Sequence, residues 1–176
     1  MAVDTRSKIH HVDDRCCFGS RDDVTLSIWR GAPTMDRIMA QRSVLERCLA
    51  RYDQVYSLTA FRSVDMSMGQ FSDERLRAEF DKLGKMMDGP LVAHALVIIG
   101  TGFIAATLRS ATVSLGMVIR SRVVTKSFDD IYAGGKWLVT QRKGEARPQE
   151  AEGIEALLRS MTAQLDERAA GSTAAR

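Results

Sequence analysis

The sequence predicts an α/β fold: a single-domain, mixed and mostly parallel sheet of about five strands with helices packed on it, plus an appended C-terminal helix. The first observation is that runs suited to strands alternate along the chain with stretches of helical periodicity, which makes successive strands parallel neighbours. The second is that the 176 residues are 45% hydrophobic, which suits one domain with a real core and leaves too little chain for two.

The balance of charge is only slightly basic, with 25 Lys and Arg against 22 Asp and Glu and a net charge of +3. So small and dispersed an excess does not favour a nucleic-acid partner. Aromatic residues make up 6% of the chain, which is too few to support a platform for stacking bases. No nucleic-acid partner is therefore expected.

Cysteine usage and hydropathy predict a cytoplasmic chain. The three cysteines are an odd number and include no C-x-x-C pair, which favours a reduced environment. The N-terminus is polar and lacks the apolar core of a secretory signal. The most apolar stretch, residues 91–119, is interrupted by Arg109, and its uncharged run falls short of the roughly 20 residues that a membrane helix needs. No transmembrane span is expected.

Residues 1–14 are polar and are predicted to form a flexible arm. The arm contains His10, His11, Asp13 and Asp14, which could bind a metal ion loosely. The simpler interpretation is that these are scattered polar residues of a mobile terminus. No metal site is predicted.

A β-hairpin is predicted at residues 16–31. Arg21, Asp22 and Asp23 supply its turn, and the alternation of apolar and polar residues over 24–30 indicates a half-buried strand. A helix is then expected over residues 35–52, because its apolar residues recur on one broad face. The hydroxyl of the preceding threonine is expected to cap that helix.

Four arginines of this helix, Arg37, Arg42, Arg47 and Arg51, lie mostly away from its apolar face. They could form a basic strip that binds phosphates. A solvated helix face is the commoner explanation, because acidic residues are interspersed and dilute the positive charge.

Residues 55–61 form the next predicted strand, since β-branched and aromatic residues dominate there. The loop at 62–71 joins this strand to a helix, and loops in that position often carry function. Ser72, Asp73 and Glu74 predict the start of the helix, because a capping hydroxyl and acidic side chains suit the positive helix end. An Asp-Gly-Pro sequence at 88–90 ends it.

Residues 91–99, LVAHALVII, are almost uniformly apolar, which predicts a strand buried on both faces in the middle of the sheet. His94 within it is expected to be neutral, packed and hydrogen-bonded. A Gly-Thr-Gly turn leads into a helix over 103–119, whose only internal charge is Arg109. Such a helix either packs under other elements or meets a partner.

An edge strand is predicted at residues 122–128, because the lysine within it would discourage edge-to-edge aggregation. A short helix follows at 129–141. Its paired glycines, Gly134 and Gly135, are expected to weaken it.

The composition of residues 144–153 indicates a linker before the C-terminal helix, which is predicted near residues 152–168. This helix carries a two-heptad apolar seam, made by Ile154, Leu158, Met161 and Leu165. The seam is too short for an independent coiled coil, so it must dock onto something. Residues 169–176 are expected to be a disordered tail.

The Gly-rich turn at 100–105 matches the G-x-G-x-x-A pattern of a dinucleotide fingerprint. It follows the third strand–helix unit instead of the first, and too little chain remains for a second nucleotide-binding half. The sequence also lacks a P-loop, G-x-S-x-G, H-E-x-x-H and C-x-x-C. We therefore expect no cofactor and no enzymatic activity.

Four short patterns resemble the STAS-like family of bacterial proteins, which includes anti-sigma-factor-antagonist-like folds and their CRAL-TRIO-like cousins. They are W-R-G at 29–31, G-T-G-F at 100–103, L-R-S at 108–110 and D-x-x-x-A-x-x-x-W-L at 129–138. The resemblance implies a STAS-like domain over residues 15–143. The remaining divisions are the arm at 1–14, the linker and amphipathic helix at 144–168, and the tail at 169–176.

The resemblance implies a non-enzymatic regulatory or scaffold protein that acts by binding a protein partner. In phosphorylatable members, a Ser or Thr in the loop before the second helix is a switch. Ser67 is the nearest match here, although Met66 and Met68 flank it. The full set of residues expected to contact a partner or act as a switch is Ser67, Met66, Met68, Phe103, Arg109, Leu158 and Met161.

Two alternatives remain open at this point. The protein could carry a small apolar ligand or lipid in a pocket whose expected walls are Phe103, Ile104, Leu108, Leu115 and Trp137. It could also form a homodimer, either through the apolar helix at 103–119 or through the C-terminal seam.

Overall fold

A computed structural model describes residues 6–62, 73–100, 123–142 and 148–174 of the chain. Its centre is a six-stranded sheet whose strands lie in chain order. The strands are β1 (Ser7–Val12), β2 (Cys16–Arg21), β3 (Val24–Trp29), β4 (Val55–Arg62), β5 (Leu91–Ile99) and β6 (Val124–Phe128). The helices of the described ranges are α1 (Met35–Leu49), α2 (Glu74–Met87), α3 (Ile131–Gln141) and α4 (Pro148–Ala174).

The sheet is mixed, as predicted. β1, β2 and β3 form an antiparallel meander, and β3, β4, β5 and β6 pair in parallel. The connections that carry α1 and α2 supply the length that parallel pairing needs. The α/β class, the single domain and the mostly parallel sheet are therefore confirmed.

The first strand corrects the expectation of a flexible arm, because Ser7–Val12 pairs with β2 along its length. A register shift between Ile9 and His11 marks a bulge. The bulge brings Ile9 and Val12 onto the same side, where both pack against the larger core cluster. Their spacing of three residues breaks the two-residue alternation by which a strand is recognised in a sequence.

The sheet is covered by helices on both faces. α3 and α4 cover one face and bury a core with β3, β4 and β5. The opposite face buries a second cluster with α1 and α2, in which Phe18 packs against Trp29 at 4.9 Å between ring centroids. Burial on both sides explains why β5 is nearly uniform in hydrophobicity. The predicted interior position of β5, between β4 and β6, is confirmed.

The C-terminal helix is longer than expected and belongs to the same domain. It begins at Pro148, a residue whose fixed φ suits the first helical position, and it runs to Ala174. The predicted linker is therefore wrong from residue 148 onward, and the predicted disordered tail is wrong up to residue 174. The apolar seam docks onto the chain's own sheet, and Leu158 and Met161 are 0% exposed there.

The boundaries of α1 and α2 follow the sequence signals, with three differences. α1 ends at Leu49, three residues before the predicted end, and Thr34 occupies its N-cap position without a side-chain hydrogen bond. Asp73 is the residue that caps α2, since its side chain accepts a hydrogen bond from the Arg75 backbone N–H. The buried residues of α2 are Leu76 and Leu83.

Two segments that carried functional expectations lie outside the described residues. They are residues 63–72, with Ser67, Met66 and Met68, and residues 101–122, with Phe103 and Arg109. Within the described ranges, none of the helices is long and apolar enough to cross a membrane.

Candidate functional site

A cavity of about 370 Å³ opens where the outer strand of the sheet passes the C-terminal end of α1. Its lining combines positively charged, hydroxyl and aromatic side chains. We call it the basic cavity. It is lined by Arg6, Lys8, His10, Ser20, Asp22, Arg47, Cys48, Arg51 and Tyr52.

Strand pairing and helix periodicity bring these side chains together. Lys8 lies opposite Ser20 in the register of β1 with β2. His10 also reaches this side, and its Nε2 lies 2.8 Å from the Ser20 hydroxyl oxygen. Arg47 and Arg51 are four residues apart, so they project from the same side of α1 and the turn that follows it.

The charge in the cavity is strongly unbalanced. Arg6, Lys8, Arg47 and Arg51 line it, against a single carboxylate, Asp22, among the lining residues. In the described part of the chain, no ion pair is formed by Lys8, Arg47 or Arg51. These cations are therefore available to a ligand.

The positive charges of the cavity also affect the protonation of His10. Burial lowers the pKa of His10, and the nearby charges of Arg47, Lys8 and Arg51 lower it further. The ring is thus held in its neutral form more firmly than a free histidine. A neutral imidazole can donate to an anion through one nitrogen while the other pairs with the hydroxyl of Ser20.

Three further residues of the lining, Asp22, Cys48 and Tyr52, carry no positive charge. Asp22 has a φ of +50°, the left-handed conformation of the β2–β3 turn, and Asp tolerates this conformation better than most residues. Burial raises the pKa of the Cys48 thiol to about 11, so this sulfur stays protonated and is a poor nucleophile. Burial also raises the pKa of Tyr52, with the charge of Asp22 contributing, so its phenol remains a hydrogen-bond donor.

A second cluster unites His11, Asp13 and Cys16, whose ligand-type atoms lie within 4.8 Å of one another. These residue types suit a transition metal. However, the Asp13 carboxylate already accepts hydrogen bonds of 2.7 Å from the backbone N–H groups of Arg15 and Cys16 and from Nε of Arg37. Burial raises the pKa of the Cys16 thiol well above its usual range, which disfavours the thiolate that a metal requires.

This second cluster is better explained as a structural connection. Asp13 closes the β1–β2 turn through two backbone N–H groups and ties it to α1 through Arg37. Asp14 contributes a longer contact of 3.4 Å to the same guanidinium. The residues that suggested a loose metal site are therefore divided, with His10 in the basic cavity and the two aspartates around Arg37.

The four arginines of the predicted basic strip are divided in the same way. Arg37 is paired with Asp13, and Arg42 is paired with Glu79 of α2 at 2.9 Å. Arg47 and Arg51 line the basic cavity. Both are exposed, as the solvated-face interpretation predicts, and they also lie beside β1, a strand the sequence did not reveal.

Of the residues expected to contact a partner, two lie in the described part. Leu158 and Met161 are fully buried in the chain's own core, so a surface contact does not fit either of them. Trp137, an expected wall of an apolar pocket, packs on Phe128 at 5.5 Å between ring centroids. The other residues expected to wall that pocket lie outside the described ranges.

Fold and cavity together define a small α/β domain with a basic pocket at one edge of its sheet. No family model, curated protein or solved structure matches the chain. The STAS-like resemblance therefore stays a prediction that rests on the four sequence patterns.

Proposed function

We propose that this protein is a non-enzymatic binding protein with a regulatory role, and that it recognises a negatively charged group in the basic cavity. The observation that supports the proposal is the convergence of Lys8, Arg47 and Arg51 on one concavity without a carboxylate partner in the described part of the chain. The regulatory role and a cytoplasmic location are carried over from the sequence and its STAS-like resemblance.

The physical basis is that like charges gathered in a concave surface repel one another and focus a positive potential. An anion that enters the concavity relieves the repulsion and accepts charge-assisted hydrogen bonds, which are roughly twice as strong as neutral ones. Arginine is especially suited to this task, because its planar fork can bind two oxygens of one anion.

Chemistry on a bound ligand would need an activated nucleophile or a base, and the described lining of the cavity favours neither. The Cys48 thiol is held in its protonated form, since burial raises its pKa to about 11. His10 Nε2 lies 2.8 Å from the Ser20 hydroxyl oxygen, but within the described residues no third group orients the ring, as an activated Ser–His pair requires. Binding is the function that this lining supports best, and the effect on a protein partner is carried over from the STAS-like resemblance.

The test is isothermal titration of two polyanions, inorganic pyrophosphate and hexaglutamate, into the full-length protein and into a doubly substituted variant, Arg47→Ala/Arg51→Ala. We expect saturable binding that weakens at least about tenfold in this variant and falls with added salt. The matched control is Arg75→Ala/Lys85→Ala, which removes two exposed cations from α2. The proposal is wrong if the two variants bind equally well, or if neither pyrophosphate nor hexaglutamate binds the unmodified protein.

A further inference from the structure

We infer that the ligand of the basic cavity is a small, hydroxyl-bearing phosphate monoester, such as a sugar phosphate or a mononucleotide. This inference rests on the proposed function and adds the class of ligand. It follows from the size of the cavity and from the two different kinds of charged side chain among the residues that line it.

The size favours a small molecule. A volume of about 370 Å³ lies near the lower end of the range found for pockets that enclose small ligands, roughly 300–1,000 Å³. An inorganic anion would fill only part of this space. An organic group attached to the phosphate would occupy the rest.

The cationic side of the cavity favours phosphate over a single carboxylate. Lys8, Arg47 and Arg51 converge there, and Arg6 belongs to the same lining. A phosphate monoester carries close to two negative charges at neutral pH and offers three terminal oxygens. It can therefore engage several cations at once, whereas a carboxylate has one charge and two oxygens.

The one acidic residue of the lining favours a ligand that also carries hydrogen-bond donors. Asp22 lines the cavity, and its carboxylate makes no ion pair or side-chain hydrogen bond within the described residues. An ionised carboxylate can only accept hydrogen bonds, and it repels a second anion. A ligand that places hydroxyl groups beside Asp22 and its phosphate beside the cations suits both kinds of charged side chain in the lining.

Tyr52 is a further residue of the lining that favours an organic group on the ligand. It is half-buried, and its ring lines the cavity along with Asp22. An aromatic ring in this position can lie against the apolar face of a sugar or stack on a nucleobase. Sugar phosphates and mononucleotides share the phosphate and hydroxyl groups, so they differ only in what they present to Tyr52.

The experiment measures the affinities of the full-length protein for four probes by isothermal titration: ribose 5-phosphate, adenosine 5′-monophosphate, inorganic phosphate and hexaglutamate. We expect at least one monoester to bind at least about tenfold more tightly than inorganic phosphate. Tighter binding of adenosine 5′-monophosphate than of ribose 5-phosphate identifies a nucleotide as the source, and the reverse order identifies a sugar phosphate.

Asp22→Asn supplies the second measurement. Asn tolerates the left-handed backbone of this position, so the turn is retained. We expect the variant to bind the preferred monoester at least about fivefold more weakly while its affinity for inorganic phosphate is unchanged or higher. The matched control is Asp53→Asn, because Asp53 is exposed and does not line the cavity.

Several outcomes would overturn the inference. If inorganic phosphate binds as tightly as both monoesters, the cavity does not recognise an organic part of the ligand. If the Asp22→Asn variant keeps full affinity for the monoester, Asp22 does not recognise the hydroxyl groups of the ligand. Binding of hexaglutamate without any of the phosphates overturns the ligand class and leaves the proposed function standing. Binding of none of the four probes overturns the inference, and it overturns the proposed function as well when pyrophosphate also fails to bind.

Discussion

A buried arginine is packed directly under a helical glycine, and this contact makes a stability prediction that can be worked out in detail. Arg21 of β2 is 4% exposed, and its Nη1 donates a hydrogen bond of 2.5 Å to the hydroxyl of Ser7. Gly153 of α4 lies over its guanidinium, so a Cβ atom at position 153 would overlap the guanidinium carbon and two of its nitrogens. The substitution Gly153→Ala therefore displaces a buried, hydrogen-bonded charge.

The expected change in the free energy of unfolding is the sum of one gain and two losses. Ala is favoured over Gly inside a helix by about 1 kcal/mol. Against this, a lost hydrogen bond of a charged group costs about 1.5–3 kcal/mol, and overpacking costs about 1–3 kcal/mol. Because Arg21 is flexible, we take the lower half of these ranges and expect a net loss of about 2 kcal/mol. For a domain of this size that lowers Tm by roughly 4–8 °C.

The assay is urea unfolding followed by far-ultraviolet circular dichroism, with Gly84→Ala as the matched control. Gly84 lies in α2, and an added Cβ there would meet nothing within 4 Å, so this substitution should raise stability by about 0.5–1 kcal/mol. In the double variant Arg21→Ala/Gly153→Ala the overlap is gone, and we expect a favourable coupling of at least about 1 kcal/mol. If Gly153→Ala is as stable as Gly84→Ala, the described packing is wrong.

Three further predictions concern the core and the β1–β2 turn. Gly135→Ala should cost about 1 kcal/mol in urea unfolding, because its Cβ would lie 3.0 Å from Cδ1 of Leu158; a gain equal to that of Gly84→Ala would contradict this. Burial lowers the pKa of His94 to about 4, so the free energy of unfolding should fall by up to about 3 kcal/mol as the pH drops from 6.5 to 4. A His94→Gln variant whose free energy of unfolding depends on pH in the same way would show that His94 is not the cause. Asp13→Asn should cost about 1–2 kcal/mol by weakening the contact with Arg37, measured against Asp53→Asn; equal stabilities would show that the contact adds nothing.

The sign of the His94 effect follows from linkage. The ring's folded-state pKa lies below its unfolded value of 6.5, so the unfolded chain binds more protons in this window. The contribution of the neutral His94 ring to the free energy of unfolding is therefore present in full above pH 6.5, and it is lost as the pH falls towards 4. The Nε2 of His94 lies 3.2 Å from the hydroxyl oxygen of Thr59, in agreement with the packed, hydrogen-bonded neutral ring that the sequence predicted.

The elements that could be predicted are those whose own periodicity matches their burial. β5 is uniformly apolar between two neighbouring strands, and the seam of α4 docks as a continuous stripe. The alternating sequence of β3 indicated a half-buried strand, and this is wrong, because all six of its residues are buried. The paired glycines of α3 showed only a low helix propensity in the sequence. In the structure they allow close packing, because a Cβ on Gly134 would lie 3.0 Å from Val97.

The basic cavity could not be predicted, because it depends on β1 and on long-range pairing. The bulge between Ile9 and His11 hid the strand, and without it Lys8 and His10 had no fixed position. Arg47 and Arg51 are exposed, as predicted, but the sequence does not show that they lie beside this strand. Which arginines of a helix are paired and which face a cavity depends on neighbours that are distant in the sequence.

The most direct test of the central claim, that the basic cavity binds an anion, is a backbone amide NMR titration of the full-length protein with inorganic pyrophosphate. We expect saturable chemical-shift changes that are largest at Lys8, His10, Arg47 and Arg51, with the amides of α2 unaffected. Changes that fail to saturate by about 10 mM ligand, or that centre on α2 or β6, would contradict the claim.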